Sequence, residues 1–167
     1  PGLGGREARV DLRDFRHMPT VSAAMTPFPY HVQADDPVSE VERLMEEHQI
    51  RHIPVQDGGR VVGIISERDL YHLVNPALPS RDRERIRARD VLVPDPYLVE
   101  MNAPLDEVVA EMSRRQIGSA IVVRHQRLAG ILSVSDVCPV LAAVLPQRFP
   151  GGDDAARSPG GAPAGSP

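Results

Sequence analysis

No lysine and no tryptophan occur anywhere in the 167 residues, and cysteine appears once, as Cys138. Each absence removes a chemistry. Without lysine there is no Schiff-base nucleophile, and every cation other than histidine is an arginine, whose planar fork suits carboxylates and phosphates. A single cysteine allows neither an internal disulfide nor a thiolate metal cluster, and it fits a reducing cytoplasm. No apolar run is long enough to cross a bilayer; the best candidate, 137–145, is short and contains Pro139. The chain opens on Pro1 with no apolar signal core behind it, so the start reads as a trimmed end and gives no support to secretion. A net charge of −4 argues against a general nucleic-acid binder, and the arginine-rich stretch has no interleaved aromatics on which bases could stack. Hydrophobic residues at 41% with 25% charged leave a water-soluble globular chain with enough apolar side chains for a core.

What is present is a repeat. Sliding the chain against itself by 67 residues aligns 27–69 with no gap: Pro29-Tyr30 meets Pro96-Tyr97, Glu40-Val41 meets Glu107-Val108, Gln49-Ile50 meets Gln116-Ile117, and Gly63-Ile64 meets Gly130-Ile131. Each copy repeats one order of elements. Asp36 before Pro37 is expected to cap a helix whose apolar face is Val38, Val41, Leu44 and Met45; Leu105, Val108, Val109 and Met112 form the matching face. Strands are expected at 53–55 and 61–65 around the turn Asp57-Gly58-Gly59, and again at 119–123 and 128–132. A last helix follows in each copy, ending near Val74 and near Leu145.

The fold class expected is therefore α/β (α+β), two tandem β-α-β-β-α units packed sheet to sheet with pseudo-two-fold symmetry, because neither unit alone buries its faces well. The divisions are an arm at 1–20 with a short helix around 10–15, a first unit at 21–75, a linker at 76–89, a second unit at 90–146 and a low-complexity, disordered tail at 147–167, which favours a chain that ends there. The linker run RDRERIRAR at 81–89 alternates in sign and reads as a solvated connection. The hairpin tip with Arg124, His125 and Arg127 reads as a solvated turn, and Cys138 as buried and inert.

GIISERD at 63–69 and GILSVSD at 130–136 each set a serine and an aspartate three residues apart where an apolar strand ends. Such a pair can close a capping box, the serine taking the amide three residues on and the aspartate reaching back. The same free amides also form an anion site, to which a serine hydroxyl adds one more bond. Gly63 and Gly130 would let a ligand approach the strand backbone, or would mark bulges. The aspartate would repel a phosphate, so it must face another group, and a vicinal diol offers two hydroxyl donors to its two oxygens. Serine toward phosphate and aspartate toward ribose describe a nucleotide, while capping alone stays open as the other reading.

The tandem repeat, the starts MTP at 25–27 and VLVP at 91–94, the segment RHIPV at 51–55 and the two Gly-x-x-Ser-x-x-Asp ends together resemble a pair of CBS domains, a Bateman module, over 21–145. The resemblance implies a non-catalytic regulatory module, of an ordinarily homodimeric kind, that binds an adenosine-containing ligand such as AMP, ADP, ATP, S-adenosylmethionine or a cyclic dinucleotide between the repeats and passes the signal to a regulated protein. It maps ribose contact onto Asp69 and Asp136 and a phosphate-side hydroxyl onto Ser66 and Ser133. Arg51, His52, Ile53 and Pro54 would line one cleft, and Gly118, Ser119, Ala120 and Ile121 the other. Arg68 with Arg51-His52 gives the first cleft positive charge, where the second has Ser135 after Val134, and Gly118-Ser119; the first is expected to favour a phosphorylated ligand. Ile121 stands where Pro54 stands in the first copy. The module is alternatively a nucleotide-independent dimerisation element, or the regulatory piece of a larger enzyme or transporter. His48 and His52 share a metal-like spacing but straddle the expected helix end with no third ligand, and no paired carboxylates or activated nucleophile point to an enzyme.

Overall fold

A computed structural model describes residues 17–74 and 79–148. In chain order the elements are β1 (Thr26–Pro27), β2 (Val32–Gln33), α1 (Val38–His48), β3 (His52–Asp57), β4 (Arg60–Ser66), α2 (Glu67–Leu73), α3 (Ser80–Arg83), α4 (Ala88–Val91), β5 (Val93–Pro94), β6 (Leu98–Glu100), α5 (Leu105–Arg115), β7 (Ser119–Arg124), β8 (Arg127–Ser133) and α6 (Val134–Arg148). Both copies thus contain the expected strand, helix, strand, strand, helix. The segment around 10–15 and the tail from 149 lie outside the described residues.

The helix faces follow the apolar spacing. Val38, Val41, Leu44 and Met45 are buried along α1, as are Leu105, Val108 and Met112 along α5, with Val109 half-buried beside them. Gln49 and Gln116 end the two helices in left-handed conformation, at φ 52° and 55°. Asp36 does not cap α1. Pro37 occupies the cap position in extended conformation, leaving Asp36 one residue too far out, and its carboxylate accepts the Gln33 amide at 2.7 Å instead.

The two sheets are each four-stranded and mixed, ordered β2-β3-β4-β5 and β1-β8-β7-β6. The leader of each copy therefore completes the sheet of the other. β1, at the start of the first copy, pairs antiparallel with β8, and β5, at the start of the second, pairs antiparallel with β4. Gly63 and Gly130 serve this exchange rather than an open approach for a ligand. A Cβ on Gly63 would stand 2.7 Å from Leu92 Cδ1 and 2.9 Å from the Val93 carbonyl oxygen; one on Gly130 would meet Met25 Sδ at 2.4 Å. Both glycines also lie next to register shifts in their hairpins.

The exchange also supplies helix starts. The Val38 amide donates to the Ile86 carbonyl, and the Leu105 amide donates to that of Pro19, both at 2.9 Å. Ala88 and Val91 are buried in the first core and Val21 in the second. From Pro79 to Arg89 the linker is thus docked on the first copy, contrary to the expected solvated connection. Two of its charges are paired there: Arg83 meets Glu42 at 2.7 Å and Arg89 meets Asp35 at 2.5 Å. Two helix-side cores result, one around Ile53, Val55 and Ile65, the other around Ala120, Val122 and Leu132. Pro54 and Ile121 point to the opposite sheet faces by the two-residue alternation, yet are fully buried, and β4 touches β8, so the two sheets cover one another there.

The last helix departs from expectation. α6 runs to Arg148, past Pro139 and Pro146, and Cys138 on it is exposed rather than buried. Val137 and Val140 face the core, which turns Cys138 outward. The hairpin tips also differ: Gly58 and Gly59 adopt φ 56° and 78° in the first copy, but His125 and Gln126 hold φ 51° and 63° in the second. Left-handed backbone at both central positions is a turn that favours glycine.

Two expected outcomes follow from these contacts. A fragment covering 28–94, with its β5 leader, should show more helix and a more cooperative melt by circular dichroism than 21–75, which lacks β5 and α4; equal behaviour would make the exchange dispensable. Replacing Gln126 by glycine should stabilise the full chain by about 1 kcal/mol, the order of the left-handed penalty of a residue with a Cβ, measured by urea denaturation.

Candidate functional site

The two Ser-x-x-Asp units sit at the ends of β4 and β8, where each hairpin hands over to a helix. Ser66 is the N-cap of α2: its hydroxyl accepts the Asp69 amide at 3.2 Å, and Asp69 Oδ2 accepts the Ser66 amide at 3.0 Å and the Ser66 hydroxyl at 2.5 Å. The expected capping box is therefore built. In the second copy Asp136 Oδ2 accepts the Ser133 amide at 2.8 Å and the Ser133 hydroxyl at 2.5 Å. One carboxylate oxygen is thus committed to the helix start in each copy, and the other is left for a different donor.

That second oxygen distinguishes the copies. Asp136 Oδ1 accepts a hydrogen bond from Thr26 Oγ1 at 3.0 Å, a contact made across 110 residues because β1 lies on β8. The repeat sets Val93 in the place of Thr26, so the matching leader offers Asp69 no hydroxyl. Thr26 is a candidate site residue that the sequence reading missed. The signal lay in the MTP motif, but its meaning depends on a leader that crosses to the other copy.

His52 opens β3 opposite Ser66 and is half-buried. It packs against the second copy, where a Cβ added to Gly118 would lie 3.0 Å from His52 Nε2. Burial pushes the imidazole pKa below its ordinary 6.5, with the Asp69 carboxylate opposing and the Arg51 charge adding to the effect. Burial thus favours the neutral imidazole over the cation. Arg51 is 80% exposed and its Nε lies 3.8 Å from Glu67 Oε2, a carboxylate the sequence reading also left out. Of the three cations expected to charge the first cleft, His52 is disfavoured as a cation by burial, Arg51 is opposed by Glu67, and Arg68 stands exposed.

The remaining expected residues divide by sheet face. Ser119 is buried and pairs with Ser133 across the β7-β8 ladder, while the Gly118 carbonyl accepts the Val134 amide at 3.0 Å. Pro54 and Ile121 lie on the faces where the sheets meet. Ile53 and Ala120 belong to the helix-side cores, so toward the junction they can present only backbone. Ser135 is exposed on the first turn of α6.

An open groove of about 620 Å³ lies between α1 and α2, floored by Met45, Leu70 and Val74. It contains neither serine nor aspartate of the pairs, so the candidate site is placed by its chemistry at the repeat junction and not by cavity size. Among the described residues no three His, Cys, Asp or Glu side chains gather as a metal set, and no helix is long and apolar enough to cross a membrane.

The model of the CBS domain matches twice, at residues 21–75 and 88–143. The chain is 33% identical over 107 residues to an inosine-5'-monophosphate dehydrogenase of Korarchaeum cryptofilum, covering 64% of this chain and 21% of that protein. It therefore spans about a fifth of the length of that relative. Among solved structures, a Vibrio cholerae protein assigned to acetoin utilization, AcuB, superposes with a TM-score of 0.69 at 28% identity, covering 79% of this chain and 96% of that one. CBSX2, in complex with AMP, superposes with a TM-score of 0.63 at 25% identity over 77% of this chain and 98% of its own. Two matches to one domain model, on the two halves of an internal duplication, establish the family: the chain belongs to the CBS domain proteins and carries the domain as a tandem pair, a Bateman module.

Proposed function

We propose that this tandem pair is a non-catalytic regulatory module that binds an adenosine-containing ligand at the junction of its repeats. The observation that carries the reading is the divided carboxylate of Asp136, with Oδ2 held by the helix start and Oδ1 turned to Thr26 on the exchanged leader. An oriented acceptor beside a hydroxyl is suited to the diol of a ribose. The likeness to CBSX2, whose structure contains AMP, supports the same ligand class.

The mechanism is a shift of population between two arrangements of the copies. A ligand at Asp136 would touch both β8 and the β1 leader, and so bias how the first copy is held on the second. The module acts as a homodimer whose changed packing is read by a partner protein, or, as the fivefold length of the dehydrogenase relative allows, within a larger regulated assembly. With His52 disfavoured as a cation and Arg51 opposed by Glu67, the first cleft is a weaker phosphate site than its sequence implied. The second cleft, with Thr26 and Asp136, is the stronger candidate for the ribose.

The test is thermal unfolding of nucleotide-free protein with AMP, ADP, ATP, S-adenosylmethionine and cyclic di-AMP, with guanosine analogues as controls. An adenosine-specific rise in Tm is expected, because a ligand bound only to the native state stabilises it. Asp136→Asn should weaken that binding by about tenfold or more, the worth of hydrogen bonds to a charged acceptor, and Asp69→Asn should weaken it less. No shift with any compound would leave the pairs as helix caps in a dimerisation module.

A second expected outcome concerns acid stability. The folded state lowers the pKa of His52, so between that lowered value and 6.5 the unfolded chain binds more protons than the native one. The stability that neutral His52 contributes is complete above about pH 6.5 and is lost as pH falls through this window. Tm measured from pH 7.5 to 5 should therefore fall less steeply in His52→Gln than in the parent chain; parallel curves would show that His52 titrates normally.

A further inference from the structure

The far end of the second copy holds a groove that the nucleotide reading does not use. It has a volume of about 520 Å³, a floor of Met25, Met101 and Leu128, and a rim that includes Phe28, Arg124 and Arg127. Phe28 is 91% exposed and stands in left-handed conformation at φ 48°, held by its amide on the Ala129 carbonyl at 3.1 Å. His125 and Gln126 beside it are left-handed as well. Three non-glycine residues in that conformation at one corner are a cost that the rest of the fold must offset.

The internal duplication supplies the comparison. At the same end of the first copy, Asp57 stands for Arg124, Gly58 and Gly59 for His125 and Gln126, Asp95 for Phe28, and Ala34 for Met101. The first-copy end carries two acids and Arg60, with glycines at the turn and Asp95 left-handed at φ 52° in the place of Phe28. The other has exchanged both acids for an arginine and a phenylalanine, within a chain of net charge −4. Among the described residues Arg124 and Arg127, like Arg60 and Arg68, have no acidic partner within 4 Å, whereas Arg43, Arg83, Arg89, Arg114 and Arg115 do, so the two forks at this rim are open to an outside carboxylate.

We propose that this groove is a docking site for an acidic peptide segment bearing an apolar anchor side chain. The methionine floor adapts to anchors of different shape, Phe28 flanks the anchor, and the arginine forks take carboxylates on either side of it. The open rim and the lack of convergent buried polar groups favour a chain segment over a small enclosed molecule. The site is separate from the Ser-x-x-Asp pairs and does not depend on nucleotide binding.

The decisive variant transplants the turn of the first copy, Arg124→Asp, His125→Gly and Gln126→Gly, which relieves the backbone and so should melt no lower than the parent. A random displayed dodecapeptide library would be panned on the parent chain with this variant as counter-selection. Sequences with glutamate or aspartate flanking an aromatic or aliphatic residue are expected to enrich. The best labelled peptide should bind the parent at least tenfold more tightly than the variant by fluorescence anisotropy, and Phe28→Ser should weaken it by a similar factor. Enrichment of basic or uncharged sequences, no enrichment over the variant, or equal affinity for parent and variant would each overturn the proposal.

Discussion

Two positions that have no room for a side chain determine how the halves are joined. At Gly63 and Gly130 the backbone of one copy lies against the leader of the other so closely that a methyl group would collide with Leu92 or Met25. The leaders bring more than a strand. Val21 and Ala88 fill the cores they enter, and the Pro19 and Ile86 carbonyls satisfy the first amides of α5 and α1, where a proline has displaced the side-chain cap. Strand, core and helix start are thus all completed in trans between copies.

The same crossing makes the junction chemically uneven. A carboxylate has two oxygens, and capping a helix uses one of them. At Asp136 the cap holds Oδ2, and the crossing leader brings Thr26 to the remaining oxygen. At Asp69 the same box stands beside a half-buried imidazole, and no leader hydroxyl reaches it. Duplication gave two equal frames, and substitution at Thr26/Val93 and His52/Ser119 made the two clefts different.

Features that repeat at short range were legible in the sequence. The helix faces at Val38, Val41, Leu44 and Met45, the paired hairpins and the two serine-aspartate pairs all come from local spacing, and the duplication confirms each by a second instance. Non-local features were not. β1 and β5 are two residues long, too short for any alternation, and nothing in their sequence says which sheet they join. The docked linker, the role of Thr26 and the lowered pKa of His52 all depend on that pairing or on the other copy. Cys138 was misplaced for a different reason: α6 has apolar residues on more than one side, since Leu141 and Leu145 are exposed while Val137 and Val140 face the core.

The exchanged leaders also bear on how such a chain could arise. A lone copy folded upon its own leader would need that strand to turn back across its sheet, whereas two separate polypeptides could trade leaders and close both sheets at once. Two separate copies trading leaders in this way would form a swapped homodimer, and joining them in one chain ties the interlocked halves together. Within one chain each half is free to differ from the other, as Thr26 and Val93 do, and the pairing does not depend on protein concentration.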